Sequence, residues 1–142
     1  MDDFAPTCVV HLAGWGMSGS PMLSARCHAI NAVGTKNIIA ACQQLQQQQR
    51  VKEQQNDTDS GSRSRHAAVS LLFLSTYNVV FGGQEILGGS EDTPYFQGTH
   101  SDQYAPSKTL AEQAVLAVCA CISIICVGAP LCASVYMCLL RE

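Results

Sequence analysis

Charge is scarce along this chain: Lys, Arg, Asp and Glu make up 13% of its 142 residues. With apolar residues at 47%, that balance excludes a disordered chain and suits a buried core. Basic residues are outnumbered by acidic ones, 8 against 11, for a formal net charge of −3. A chain without a basic face lacks the electrostatic footprint that nucleic acid requires of a partner. No N-terminal signal peptide is visible, and Met1-Asp2-Asp3 carries the wrong charge for one. The eight cysteines therefore read as reduced thiols of an intracellular protein, packed as small buried hydrophobes rather than joined as a disulfide framework. None stands in a Cys-x-x-Cys pair, and His11, His28, His66 and His100 lie far apart. No metal site is expected.

What is present alternates between strand-like and helix-like runs. Residues 7–12 form a short β-branched stretch that ends in a cluster of small residues, among them Ala13, Gly14, Gly16 and Gly19. That is the pattern of a buried strand feeding a loop through which a ligand can approach backbone. Residues 24–47 read as a helix, with Ser24 as N-cap and Ile30, Val33, Ile38, Ala41, Cys42 and Leu45 recurring near helical spacing. Asn31 falls among those apolar positions, where an amide needs bonding partners. Residues 43–66 shift to glutamine runs and then to Ser, Asp, Gly and Arg, a solvated low-complexity insertion whose glutamines can prolong the helix. Residues 67–75 are apolar again, and pairing this second strand parallel to the first through the helix gives a βαβ unit.

The hydroxyls of Ser75 and Thr76 fall at the carboxyl end of that second strand, where a parallel sheet presents groups to a ligand. The alternative is an ordinary Ser/Thr turn. Residues 81–101, rich in glycine, read as a long irregular loop in which Phe81, Tyr95 and Phe96 either line a flat apolar substrate or pack the loop on its own domain. Tyr104-Ala105-Pro106-Ser107-Lys108 follows. Pro106 fits a helix's first turn, so the helix should begin near Tyr104. The four-residue spacing then sets the Tyr104 phenol and the Lys108 ammonium on one face, where a cation favours the phenolate.

Four stretches in order carry a resemblance: Val9-Val10-His11-Leu12-Ala13 with Gly16-Met17-Ser18-Gly19; Asn31-Ala32-Val33-Gly34-Thr35-Lys36-Asn37; Leu74-Ser75-Thr76-Tyr77-Asn78-Val79-Val80-Phe81-Gly82-Gly83; and Tyr104 to Gln113. Together they resemble the extended short-chain dehydrogenase/reductases, and within them the 3β-hydroxysteroid (sterol) dehydrogenase branch. The resemblance implies oxidation of a 3β-hydroxyl of a sterol or steroid with NAD or NADP as hydride acceptor. It implies Tyr104 as general base and Thr76, with Ser75 in reserve, holding the substrate oxygen. Lys108 would lower the Tyr104 pKa and bind the nicotinamide ribose, while Asn31 would hold a water behind Lys108. His11, at the end of the first strand, and Ala13 and Gly14, on the loop that follows, would bind the cofactor.

The implied fold is α/β: a partial Rossmann-type, doubly wound parallel sheet lacking its N-terminal strands and its C-terminal substrate region. Residue 1 aligns just before the family's fourth strand. The glycine-rich phosphate turn between a first strand and helix, and the residue that selects NAD or NADP, find no counterpart in the resemblance. Residues 1–118 would thus be an incomplete nucleotide-binding domain, an internal fragment that is inactive alone. Residues 114–140 carry no charge and five of the cysteines, and there the resemblance ends. That length can cross a bilayer. A transmembrane helix with endoplasmic reticulum association, a helix end followed by a buried strand, and an aberrant terminus compete. A non-enzymatic, membrane-associated remnant is the alternative to an oxidoreductase.

Overall fold

Two short runs of alternating burial set the frame: strand β1 at Cys8–His11 and strand β2 at Ser70–Leu74. They come from a computed structural model that describes residues 6–56, 69–90 and 92–118, with the backbone of two further strands, β3 at Ser123–Val127 and β4 at Val135–Cys138. The strand order is β1-β2-β3-β4. β1 and β2 are parallel, with Val9 opposite Leu71 and His11 opposite Phe73. β2 and β3 are parallel, with Leu71 opposite Ile124, and β4 returns antiparallel on β3. The architecture is the expected α/β one, a partial Rossmann-type parallel sheet.

Helix α1 (Gly34–Asn56) joins β1 to β2, and helix α2 (Tyr104–Ala117) precedes β3. In β2, Leu71 and Phe73 point to one face and, with Val69, are fully buried against Ile39 and Cys42 of α1 and Ala111 and Val115 of α2. Each such side chain contributes roughly 1.5–3 kcal/mol on burial. The opposite face is barer: Val10 of β1 and Leu74 of β2 are 55% and 39% exposed. One face of the sheet is thus layered with helix.

The helix between the strands begins at Arg26, just after the expected cap Ser24, but is not uniform and runs longer than residues 24–47. Residues His28–Val33 are π-helical, and the glutamines, good helix formers, carry α1 on to Asn56. The extra residue in the π turn changes the phase of the stripe. Ile30 and Val33, expected on the buried face with Ile38 and Cys42, are 38% and 43% exposed. The remainder of the 43–66 insertion lies outside the described residues.

Of the three readings that compete for residues 114–140, the described backbone there is that of a helix end followed by strands. These residues contain the end of α2 and two strands, and β3 pairs in register with β2 from Ser70↔Ser123 to Leu74↔Val127. Ile and Val suit a pleated strand paired with β2 better than a helix. No helix among the described residues is long and apolar enough to cross a membrane.

Candidate functional site

The carboxyl ends of β1 and β2 point at the first turn of α2, and the site is built where they meet. α2 begins at Tyr104 with Pro106 in its first turn, where the missing N–H costs nothing. Asp102 Oδ1 accepts from the Ala105 amide at 2.8 Å, closing the turn. The Gln103 amide donates to the Met22 carbonyl at 2.7 Å, which pins the helix start to the loop after β1. Tyr104 and Lys108 are then both almost fully buried, at 5% and 4% exposure.

Thr76 lies two residues beyond the end of β2 in extended conformation and caps a short 3₁₀ turn at Tyr77–Val79. Its hydroxyl accepts from the Asn78 amide at 3.4 Å and stands near enough to the Tyr104 phenol to favour its ionised form. Burial nevertheless pushes the Tyr104 phenol above its ordinary value; the Thr76 hydroxyl opposes that shift, while Cys27 and Asp102 add to it. The direction is the reverse of the one expected from a lysine one turn along. Lys108 has turned its ammonium to the strand: Nζ donates to the Leu74 carbonyl at 2.7 Å and sits 4.3 Å from the Phe73 ring centroid.

Ser75 does not share the site. Its hydroxyl donates to Oε2 of Glu112, a carboxylate that is itself only 9% exposed, and the Tyr95 hydroxyl donates to Oε1 at 3.2 Å. Of the two candidate hydroxyls, Thr76 alone is turned to Tyr104. Phe96, offered with Tyr95 as a substrate-lining residue, is instead the wedge of the loop. Its amide donates to the Val79 carbonyl at 3.0 Å, and a Cβ at Gly82 or Gly98 would overlap its ring. Phe81 does border a cavity of about 360 Å³ beside the helix start, with Met22, Tyr77, Asn78, His100 and Asp102.

Asn31 reaches the site from the π turn. Its Oδ1 accepts from the Trp15 amide at 2.8 Å, and its Nδ2 donates to the Trp15 carbonyl and to Ser107 Oγ, both at 2.9 Å. Both amide protons are spent, so Asn31 clamps the loop after β1 onto α2. Ser107, inside the Tyr-x-x-x-Lys spacing, passes its own proton to the Tyr104 carbonyl at 2.6 Å.

His11, expected on the cofactor loop, is buried and packs on Phe73 with ring centroids 5.6 Å apart. Its Nε2 meets Thr35 Oγ1 at 2.9 Å, and Thr35 donates to the Asn31 carbonyl at 2.6 Å. Thr35 has one hydroxyl proton, so His11 Nε2 is the donor. Burial, then the nearby Lys108 charge, lower the His11 pKa and keep the ring neutral.

Gly14, Gly16 and Gly19 stand at Gly-x-Gly-x-x-Gly spacing directly after β1, which the expectation of no phosphate turn overlooks. Their geometry gives them other work. Gly16, at φ +84°, is buried where a Cβ would overlap the Cys27 sulfur, and Gly19, at φ +67°, leads into a four-residue 3₁₀ turn at Ser20–Leu23. Among the described residues Gly19 thus leads into that 3₁₀ turn and not directly into an α-helix whose N-terminus could hold a pyrophosphate. The exposed Ala13 and Gly14 do offer open backbone beyond the β1 tip. The residues present therefore fit the nicotinamide-ribose end of a dinucleotide and not its phosphates.

Glu112, Ser107 and Phe73 went unread in the sequence. Glu112 carried a signal, since an acidic residue four positions after Lys108 and eight after Tyr104 shares their buried face. Phe73 looked like any core aromatic.

A βαβ unit with a Tyr–Lys helix facing a threonine at the neighbouring strand tip defines a short-chain dehydrogenase/reductase-type chain. Residues 62–125 match the model of the 3-beta hydroxysteroid dehydrogenase/isomerase family, and the chain is a relative of that dehydrogenase family. It is 37% identical over 111 residues to the short-chain dehydrogenase/reductase family 42E member 1 of Danio rerio, covering 77% of this chain and 23% of that protein. The Homo sapiens protein of that name is 37% identical over 112 residues, covering 78% and 23%. The 3 beta-hydroxysteroid dehydrogenase type 7 of Mus musculus is 32% identical over 111 residues, covering 76% and 24%. The chain spans about a quarter of the length of the curated relatives it matches.

Proposed function

We propose that this chain carries the proton-transfer centre of an NAD(P)-dependent oxidoreductase acting on the CH–OH group of a 3β-hydroxy steroid or sterol inside the cell. The observation that carries the reading is the convergence of the buried Tyr104 phenol, the Thr76 hydroxyl beside it and Lys108 on one strand tip. Tyr104 takes the alcohol proton as general base, and Thr76 holds the same oxygen. Lys108, its ammonium on the Leu74 carbonyl, holds the strand tip from which Thr76 follows, and the open backbone at Ala13 and Gly14 admits the ribose. A bound nicotinamide supplies the hydride acceptor. Because burial raises the Tyr104 phenol, the protonated form prevails at neutral pH. The centre is therefore poised to donate a proton in carbonyl reduction there, and to accept one in alcohol oxidation only as pH rises.

Without a pyrophosphate cradle the 142 residues are expected to turn over no alcohol alone. Isothermal titration of the chain with NAD and NADP should show no saturable binding. Grafted in place of the matching segment of a full-length relative, residues 6–118 should support turnover, with oxidation increasing toward alkaline pH. Tyr104→Phe in that graft should cut kcat about 10²–10⁴-fold with the melting temperature unchanged. A graft that keeps its turnover after Tyr104→Phe would sink the reading.

A further inference from the structure

The structure assigns Glu112 as a positioning residue whose buried carboxylate ties the Ser75 hydroxyl to the Tyr95 hydroxyl and thereby fixes the strand tip that orients Lys108. The inference rests on the preceding reading for its functional meaning and on independent contacts for its geometry. A carboxylate removed from water is tolerated where hydrogen-bond donors replace the water. Here the two donors arrive from two different elements, Ser75 from the tip of β2 on Oε2 and Tyr95 from the long loop on Oε1. Each hydroxyl owns one proton, so both are committed to Glu112.

Ser75 is flanked by the two groups that matter. The carbonyl of Leu74 accepts the Lys108 ammonium at 2.7 Å, and the Thr76 hydroxyl stands beside the Tyr104 phenol. A shift of Ser75 moves both neighbours, because they share its peptide planes. Glu112 also lies on the face of α2 that carries Tyr104 and Lys108, and all three are buried. One carboxylate thus references helix, strand tip and loop to a common point. The same bond explains why Thr76 rather than Ser75 remains turned to Tyr104.

The test reads Lys108 directly and needs no turnover. The folded chain is treated briefly with an amine-acylating reagent, and modification at Lys108 is measured by peptide mass spectrometry against the exposed Lys36 in the same sample. Glu112→Ala should raise relative Lys108 modification roughly tenfold, the size expected for loss of one or two charge-assisted bonds. Glu112→Gln, whose amide can accept from one hydroxyl and donate to the other, should restore protection to within about threefold of the parent. Ser75→Ala, which keeps the helix intact, should reproduce most of the effect, and should add nothing on top of Glu112→Ala. Val115→Ala, a core truncation on the same helix, supplies the stability control. If Val115→Ala at equal loss of melting temperature exposes Lys108 as much as Glu112→Ala, or if Glu112→Ala and Ser75→Ala leave Lys108 as protected as before, the inference is overturned. A graft without turnover would refute the proposed function and leave this labelling result standing.

Discussion

His11 and Tyr104 are both held in their neutral forms by burial, from opposite ends of the pH scale. For His11 the folded-state pKa is lowered from 6.5, so in mildly acid solution the unfolded chain binds more protons than the folded one. The contribution to stability is full above pH 6.5 and is lost as pH falls through the folded pKa. The urea midpoint should therefore drop between pH 7 and pH 5. Replacing His11 by Gln, which can still donate to Thr35, should flatten that slope, and an unchanged slope would remove His11 as its source. This behaviour was not legible in the sequence, where His11 stood at the end of a strand run and read as a cofactor-binding residue. Its neighbours Thr35 and Phe73 become neighbours only across the α1 crossover. Tyr104, Lys108 and Thr76 were legible, because their spacing and their place at element ends carry their geometry. The preference for Thr76 over Ser75 came from the resemblance alone; its physical cause is Glu112, a partner 37 residues away from Ser75.

The loop between β2 and α2 is ordered by one aromatic ring. Phe96 is held by its amide on Val79 and by two glycines whose missing side chains leave room for it. Gly82→Ala should destabilise the protein by roughly 1–3 kcal/mol through overpacking. Phe96→Leu should cost less in the Gly82→Ala background than alone, since the smaller side chain relieves the clash. Thermal unfolding of the two single variants and the double would show a coupling of about 0.5–3 kcal/mol; strict additivity would mean the ring and the glycine do not meet. Sequence reading found the loop and its aromatic residues but not their jobs. Glycine pairs announce freedom of the backbone, whereas Gly82 is needed because of its neighbour. The helices were more readable. α2 begins where Pro106 requires, while the facing of Ile30 and Val33 ahead of α1 was missed because a π turn leaves no periodic trace that an α pattern would recognise.

At the scale of the molecule, the sheet is covered on one side by α1 and α2 and carries exposed apolar side chains on the other, Val10 and Leu74 among them, with Leu12 just beyond β1 at 60% exposure. Doubly wound sheets bury both faces. The chain is therefore expected to bind an apolar fluorescent dye while folded and to self-associate with increasing concentration. The double variant Val10→Thr, Leu74→Thr should weaken both signals in dye titration and sedimentation with little change in cooperativity of unfolding. Equal dye binding by parent and variant would place the exposed surface elsewhere. Parallel order of β1 and β2 followed from the helix between them, and so was open to sequence reasoning. The place of β3 was not: an uncharged tail reads equally as strand or membrane helix until a partner strand is known, and β2 supplies that partner.

The π turn has a consequence for how the two halves of the site stay aligned. Val33 is exposed and belongs to no core cluster, so its deletion would sacrifice little packing and leave an ordinary α-helical turn. A wide turn of this kind takes up one residue while the helix on either side stays in phase, so the segment before it would keep its facing and the change would fall inside the turn, on Asn31 and its bond to Ser107. The aim of the one amide that clamps the first strand's loop onto α2 is thus set by chain length, one surplus residue taken up in a single wide coil, as much as by any side chain that touches it.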